Sequence, residues 1–275
     1  MYHELPPALA ARYRIAARIA NGGAKQVFRA VDVAGGPDVA IARIPDVDPA
    51  QFATEVALIR GVASEHVPQI FAALVDDRDD GYLVMERCDG PSLASLVRHG
   101  PLALADAGPL LIAFARGLSA IHDAAILHRD VKLDNVMLCT GAPGPTLKIV
   151  DFGLSSRSWN ESTATGEARP AIGGTLPYMA REALSGESLD ARSDVFAFGV
   201  CCYRLLIGGF PTPRRPGEHD LGYALRLRDA IVDVGRLPAE LPARALIARM
   251  LDAERAHRPY MPEVVAGFER AFGAS

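Results

Sequence analysis

The sequence predicts an α+β fold in two lobes, the first rich in strands and the second helical. Three observations predict it. In the first third of the chain, short apolar runs of strand character are separated by turn clusters. Beyond Gly90-Pro91 the apolar residues recur at helical spacing instead. The chain has 275 residues, 49% hydrophobic and 23% charged, so it can bury a sizeable core and lies outside the disordered range. One domain is expected over 1–275: a small lobe at about 10–86, a hinge at about 86–91 and a larger lobe at about 92–270.

The elements follow in order. Residues 13–19 alternate and read as a strand, ending at the turn cluster Asn21-Gly22-Gly23. A second strand is expected at about 25–31, and Gly35-Gly36-Pro37-Asp38 turns the chain into a third at 39–44. Pro49 opens a helix carrying Phe52, Glu55, Leu58, Ile59 and Val62 at helical spacing. Two short strands near 69–75 and 82–86 flank the acidic turn 76–80. In the second lobe Leu110, Leu111, Phe114, Leu118 and Ile121 mark a long amphipathic helix, with Pro109 in its first turns. Residues 195–207 are apolar nearly all round, a buried helix ended by Gly208-Gly209. Segment 155–174 is polar and lacks periodicity, and so long a loop in a compact domain is usually functional or mobile.

A net charge of -4 argues against nucleic acid or an anionic membrane as the main partner. The 4 cysteines show neither metal-ligand spacing nor a disulfide framework. The N-terminus has no signal-peptide layout, and no apolar run reaches the roughly 18 residues of a membrane span. A cytoplasmic setting is the expectation.

The strongest chemical signal is His128-Arg129-Asp130-Val131-Lys132-Leu133-Asp134-Asn135, which fits the pattern H-R-D-x-x-x-x-N of a phosphoryl-transfer loop. Sixteen residues after Asn135 stands Asp151-Phe152-Gly153, preceded by the strand-like stretch 147–150. Either piece alone is weak; together, in this order and flanked by strands, they are specific. Phosphoryl transfer needs positioning and charge neutralisation more than covalent help. Asp130 can accept the proton of a substrate hydroxyl, Lys132 can reach a γ-phosphate, and Asn135 and Asp151 offer the hard oxygens that Mg²⁺ prefers.

On these motifs the chain resembles the eukaryotic-type protein kinase family, over roughly 13–268. Further matches are Gly174-Thr175 and Tyr178-Met179-Ala180-Arg181-Glu182, similar to the substrate loop and A-P-E motif with Arg181 in place of proline. Asp194 and Gly199 resemble the start of the family's buried helix, which implies that Asp194 holds the backbone of the catalytic loop; an N-cap position for Asp194 is compatible with that role. The resemblance implies a two-lobed kinase fold with one regulatory helix in the small lobe, and a buried ion pair between Glu182 and Arg258. It implies ATP with Mg²⁺ or Mn²⁺ as cofactors and a protein Ser/Thr hydroxyl as acceptor. Lys132 and Thr175 resemble the Ser/Thr class, and Ala11-Arg12-Tyr13-Arg14-Ile15 resembles bacterial members. By the same resemblance Ile19, Val27, Ala40 and Met137 sandwich the adenine, Met85 is the gatekeeper, the backbone of Glu86 and Cys88 bonds the base, and Gly22 and Gly23 belong to the Gly-rich loop.

Two positions depart from the family pattern. The third-strand motif V-A-I-K reads Val39-Ala40-Ile41-Ala42, and the Gly-rich loop reads Ala20-Asn21-Gly22-Gly23-Ala24-Lys25. The lysine that should hold the α- and β-phosphates is absent from the third strand. Strand side chains alternate faces, so Ala42 shares the pocket face with Ala40, and Arg43 points away. Lys25 lies two residues before Val27, on the pocket face. This arrangement is similar to the With-No-Lysine kinases, whose catalytic lysine sits on the second strand, and it implies Glu55 as the helix partner of Lys25. Those kinases are also held inactive by chloride, for which Ala42 would leave room.

By the same resemblance Arg129 can clamp a phosphate on the activation loop, with Ser162, Thr163 and Thr165 as acceptors; 169–174 has no hydroxyl, so phosphorylation is either unnecessary or placed at those earlier residues. A sensor or regulatory module is expected on a separate partner, because the chain ends soon after its last helix. Three readings compete: an active Ser/Thr protein kinase, a pseudokinase that binds nucleotide or a partner without efficient catalysis, and a small-molecule kinase on a related fold. Segment 155–174 and the loop 175–182 argue against the third.

Overall fold

A computed structural model describes residues 4–22, 25–140, 144–151 and 175–273 of the chain. After a one-turn helix, α1 (Pro7–Ala10), come β1 (Tyr13–Gly22), β2 (Lys25–Asp32) and β3 (Val39–Ile44). Helix α2 (Pro49–Arg60) follows, then β4 (Ile70–Val75) and β5 (Gly81–Glu86). The five strands form one antiparallel sheet in the order β1-β2-β3-β5-β4. α2 starts where expected: Asp48 caps it by accepting from the Gln51 N–H at 2.9 Å, and Pro49 takes the first position, where no N–H is needed.

The second lobe contains α3 (Leu93–Leu96), α4 (Leu104–Asp123) and the two-stranded sheet of β6 (Val136–Cys139) and β7 (Thr146–Ile149). Then come α5 (Arg181–Leu184), α6 (Ala191–Ile207), α7 (Asp220–Asp229), α8 (Arg244–Met250) and α9 (Met261–Phe272). Its core is aromatic at the centre, with Phe114 of α4, Phe198 of α6 and Phe268 of α9 fully buried. Their ring centroids are 4.6 Å apart (Phe114–Phe198) and 5.7 Å apart (Phe198–Phe268). By length and composition α4 could cross a membrane, but Leu111, Phe114, Leu118 and Ile121 are spent on this core.

α6 begins four residues before the stretch expected from apolarity alone. Asp190 caps it through the Arg192 N–H at 2.8 Å. Asp194 is therefore inside the helix and buried, and the expected N-cap position falls to Asp190 instead. The helix ends at Gly208 in the left-handed region, φ 82°, as its glycines predicted.

Two registers position the cleft. Val27 of β2 pairs with Ala42 of β3, and Ala42 with Leu83 of β5; Arg29 pairs with Ala40, and Ala40 with Met85. The hinge runs antiparallel to β6: Ser92 bridges Met137, the Leu138 N–H donates to the Pro91 carbonyl at 3.0 Å, and Asp89 accepts from Thr140 N–H and Oγ1 at 2.9 and 2.8 Å. Gly90 is required here, because a Cβ would fall 1.8 Å from the Leu138 carbonyl oxygen.

Candidate active site

The catalytic loop is held from below by Asp194. Its carboxylate accepts from the backbone N–H of His128 at 2.8 Å and of Arg129 at 2.9 Å, and meets His122 Nε2 at 3.0 Å. Burial alone would raise the Asp194 carboxyl; the hydrogen bond and charge of His122 outweigh it and hold the group below its ordinary range. Burial pushes the His128 imidazole down, and its Nδ1 faces the Asp130 N–H at 3.3 Å. Arg129 and Asp151 adopt left-handed backbone, φ 64° and 65°, strain of about 1–3 kcal/mol each that persists only where the surroundings impose it.

Above this support four side chains converge. Lys132 Nζ donates to Asp130 Oδ2 at 2.6 Å and to Thr175 Oγ1 at 3.3 Å. Thr175 Oγ1 also lies 3.3 Å from Asp130 Oδ1. Asn135 Nδ2 donates to the carbonyl and to Oδ2 of Asp130, both at 2.9 Å, which leaves its amide oxygen for another partner. Among the described residues, no group of three or more His, Cys, Asp or Glu forms a metal cage. Asn135 and Asp151 suit Mg²⁺ all the same, since that ion is held by one or two protein oxygens together with water and phosphate.

Lys25 reaches the same place from the opposite lobe. Its Nζ donates to Asp151 Oδ1 at 2.5 Å, across a sequence separation of 126 residues. Burial would raise the Asp151 carboxyl, but the charge of Lys25 and its hydrogen bond lower it. Ala42 is fully buried in the sheet, on the face Lys25 uses. Arg43 faces the other way and is tied to Asp80 at 2.5 Å. A small cavity is lined by Lys25, Ile59, Ile70, Leu83, Met85 and Asp151.

The structure does not pair Lys25 with Glu55, as the resemblance had implied. Glu55, half-buried on α2, accepts from Gln51 Nε2 at 2.9 Å, one helical turn away, and the ion pair of Lys25 goes to Asp151. Of the residues expected around a base, Ile19 lies on β1, Val27 on β2, Ala40 on β3, Met85 and Glu86 at the end of β5, Cys88 between β5 and α3, and Met137 on β6. Ile19 is half exposed, as the roof of an open cleft would be. Gly22 closes β1 opposite Lys25. Gly23, Phe152, Gly153, Ser162, Thr163 and Thr165 lie outside the described residues.

Two neighbours were missed from sequence. His122 carries no motif of its own, but its position in the last turn of α4 could have placed it near the loop. Lys148 on β7 salt-bridges Glu86 at 2.7 Å, and its place opposite Met137 was the available signal.

The profile of the protein kinase domain matches residues 13–267. The chain belongs to the protein kinase family. Among its relatives, the serine/threonine-protein kinase pkn2 of Myxococcus xanthus is 31% identical over 259 residues, 90% of this chain and 31% of that protein. The probable serine/threonine-protein kinase PknB of Corynebacterium glutamicum is 34% identical over 214 residues, 74% of this chain and 32% of that protein. The serine/threonine-protein kinase PknL of Mycobacterium bovis is 34% identical over 239 residues, 84% of this chain and 57% of that protein. This kinase-family chain therefore spans about a third of the length of the first two and somewhat over half of the third. The buried pair expected for a kinase is present: Arg258 binds Glu182 in bidentate fashion at 2.7 and 3.1 Å, and Ser193 Oγ adds a third bond at 2.7 Å.

Proposed function

We propose that the chain is an ATP-dependent Ser/Thr protein kinase in which Lys25 of the second strand stands in for the lysine missing at Ala42. The observation that carries this reading is the Lys25–Asp151 ion pair at 2.5 Å, which supports a cation aimed into the cleft beside the proposed metal ligand. Asp130 would accept the proton of the incoming Ser or Thr hydroxyl, with its carboxylate oriented by Asn135 and Lys132. Thr175 would hold the substrate segment against Asp130 and Lys132. Lys25 would exchange Asp151 for phosphate oxygens when nucleotide arrives, which frees the carboxylate. Asn135 and Asp151 would hold Mg²⁺, which supplies neutralisation of the phosphate charge.

The rival reading is a pseudokinase. It is favoured by one observation, that the cation in the cleft is paired with Asp151 and not with Glu55 of α2. Incubation with labelled ATP, Mg²⁺ and a generic protein substrate separates the two. We expect label on Ser and Thr, absent with Asp130→Asn; nucleotide binding without any transfer would favour the pseudokinase.

A further inference from the structure

We propose that Lys148 is a positioning residue for the nucleotide: through its ion pair with Glu86 it sets where the hinge stands relative to the catalytic side of the cleft.

β7 forms a seam between the lobes. Three consecutive residues of this strand each touch the small lobe. The Leu147 carbonyl faces Nδ1 of His66, in the connection between α2 and β4, at 3.0 Å. Lys148 Nζ donates to Glu86 Oε2 at 2.7 Å. The Ile149 N–H donates to the His66 carbonyl at 2.8 Å. The next residue bonds within the large lobe instead: the Val150 N–H donates to the Asn135 carbonyl at 2.8 Å, and Asp151 follows it. One short strand therefore joins the small lobe to both proposed metal ligands.

Of these three ties, that of Lys148 is the one that ends on the hinge. Glu86 closes β5, where the kinase reading puts the base. Its carboxylate accepts from Lys148 and from the Gln69 N–H at 3.1 Å, while its own N–H donates to the Gln69 carbonyl at 2.8 Å. Lys148 stands directly opposite Met137 in the β6–β7 ladder, so its stem leaves the sheet on the face of the residue expected beneath the base. The pair is not a solvated surface contact, which would contribute little: the Lys148 side chain is 11% exposed and that of Glu86 31%. Removing the ammonium leaves a half-buried carboxylate without its counter-charge at the strand end that starts the hinge.

The direction of the effect follows from what Lys148 does not hold. Asp194 supports the catalytic loop, and the Val150–Asn135 bond fixes Asp151 beside it. Without Lys148 the hinge shifts and the catalytic side stays. The loss then falls equally on bound substrate and transition state, which raises KM and leaves turnover at saturation.

The role rests on the kinase reading of the cleft, so binding is measured apart from transfer. Whole-chain Lys148→Met, Lys148→Arg, Glu86→Gln and the Lys148→Met/Glu86→Gln double variant are compared with wild type. The readouts are the Kd of a fluorescent ATP analogue, and KM and kcat with labelled ATP. We expect Lys148→Met to raise Kd and KM at least about fivefold with kcat within about twofold, and Lys148→Arg to restore most of the loss. Glu86→Gln should match Lys148→Met, and the double variant should be no worse than either, because both remove one interaction. An unchanged Kd in folded Lys148→Met would overturn the proposal, as would a fall in kcat with Kd intact, or losses that multiply in the double variant. Should circular dichroism show Lys148→Met unfolded, Glu86→Gln carries the same test, since it removes the charge and keeps the size. A wild type that binds the analogue but transfers no phosphate would sink the kinase reading alone, and the Kd comparison would still decide the role of Lys148. A wild type that binds no nucleotide would overturn both.

Discussion

At the scale of single residues, the site depends on which carboxylate or N–H each polar group can reach. Asp194 is the clearest case, because two backbone donors of the catalytic loop end on it. Asp194→Ala would leave those buried N–H groups unpaired, at about 1–3 kcal/mol each. We expect a loss of several kcal/mol in denaturant unfolding, and kcat lowered far more than the KM for ATP. Gly90 carries a steric prediction. In Gly90→Ala the new Cβ would meet the Leu138 carbonyl oxygen, so the hinge must leave β6. Weaker binding of a fluorescent ATP analogue, with the far-UV spectrum retained, is the expected result. Lys25 shows what sequence can do at this scale. Parity along β2 and β3 put Lys25 on the pocket face and Arg43 off it, and in the structure Lys25 pairs with Asp151 and Arg43 with Asp80. Parity says which face a side chain takes, but not which of two carboxylates on that face it meets. That is why the Lys25–Glu55 pairing did not follow.

At the scale of elements, the joints between short segments matter most. The pair Glu182–Arg258 ties α5 to the turn before α9 and is almost wholly buried. Every NH group of Arg258 also finds a carbonyl or carboxylate, among them the carbonyls of Asp252, Arg192 and Ala253. Breaking such a pair from one side leaves an uncompensated charge; Arg258→Met should cost about 3–5 kcal/mol, read as a lower urea midpoint. Its pH dependence has a definite sign. Burial would raise Glu182, but Arg258 and Ser193 outweigh it and hold the carboxyl low. The stability it contributes is full above the ordinary glutamate range and is lost as pH falls through the lowered value. Thermal unfolding across the acid range should therefore fall more steeply in wild type than in a Glu182→Gln variant. Strand and helix positions were legible because apolar period and turn residues specify them locally. The start of α6 was not, since 191–194 is polar and its cap, Asp190, is recognised only once the helix direction is known.

At the scale of the whole molecule, the two lobes meet where β2, the hinge and the catalytic loop face one cleft. The ordered motifs made the family legible, since Asp130, Asn135 and Asp151 stand in the order and spacing of the family's pattern. The contacts of Thr175 and Lys132 with Asp130 needed three dimensions, because 43 residues separate Lys132 from Thr175. The central claim is that the cation for the phosphates comes from the second strand, across the cleft from its metal ligand. The most direct measurement is transfer of labelled phosphate by Lys25→Ala beside wild type, with Asp130→Asn as the inactive control and circular dichroism to establish the fold. We expect a folded variant with the rate down by about 10²–10³-fold, the loss for one electrostatic group aimed at developing charge. Wild-type-like transfer by folded Lys25→Ala would contradict it.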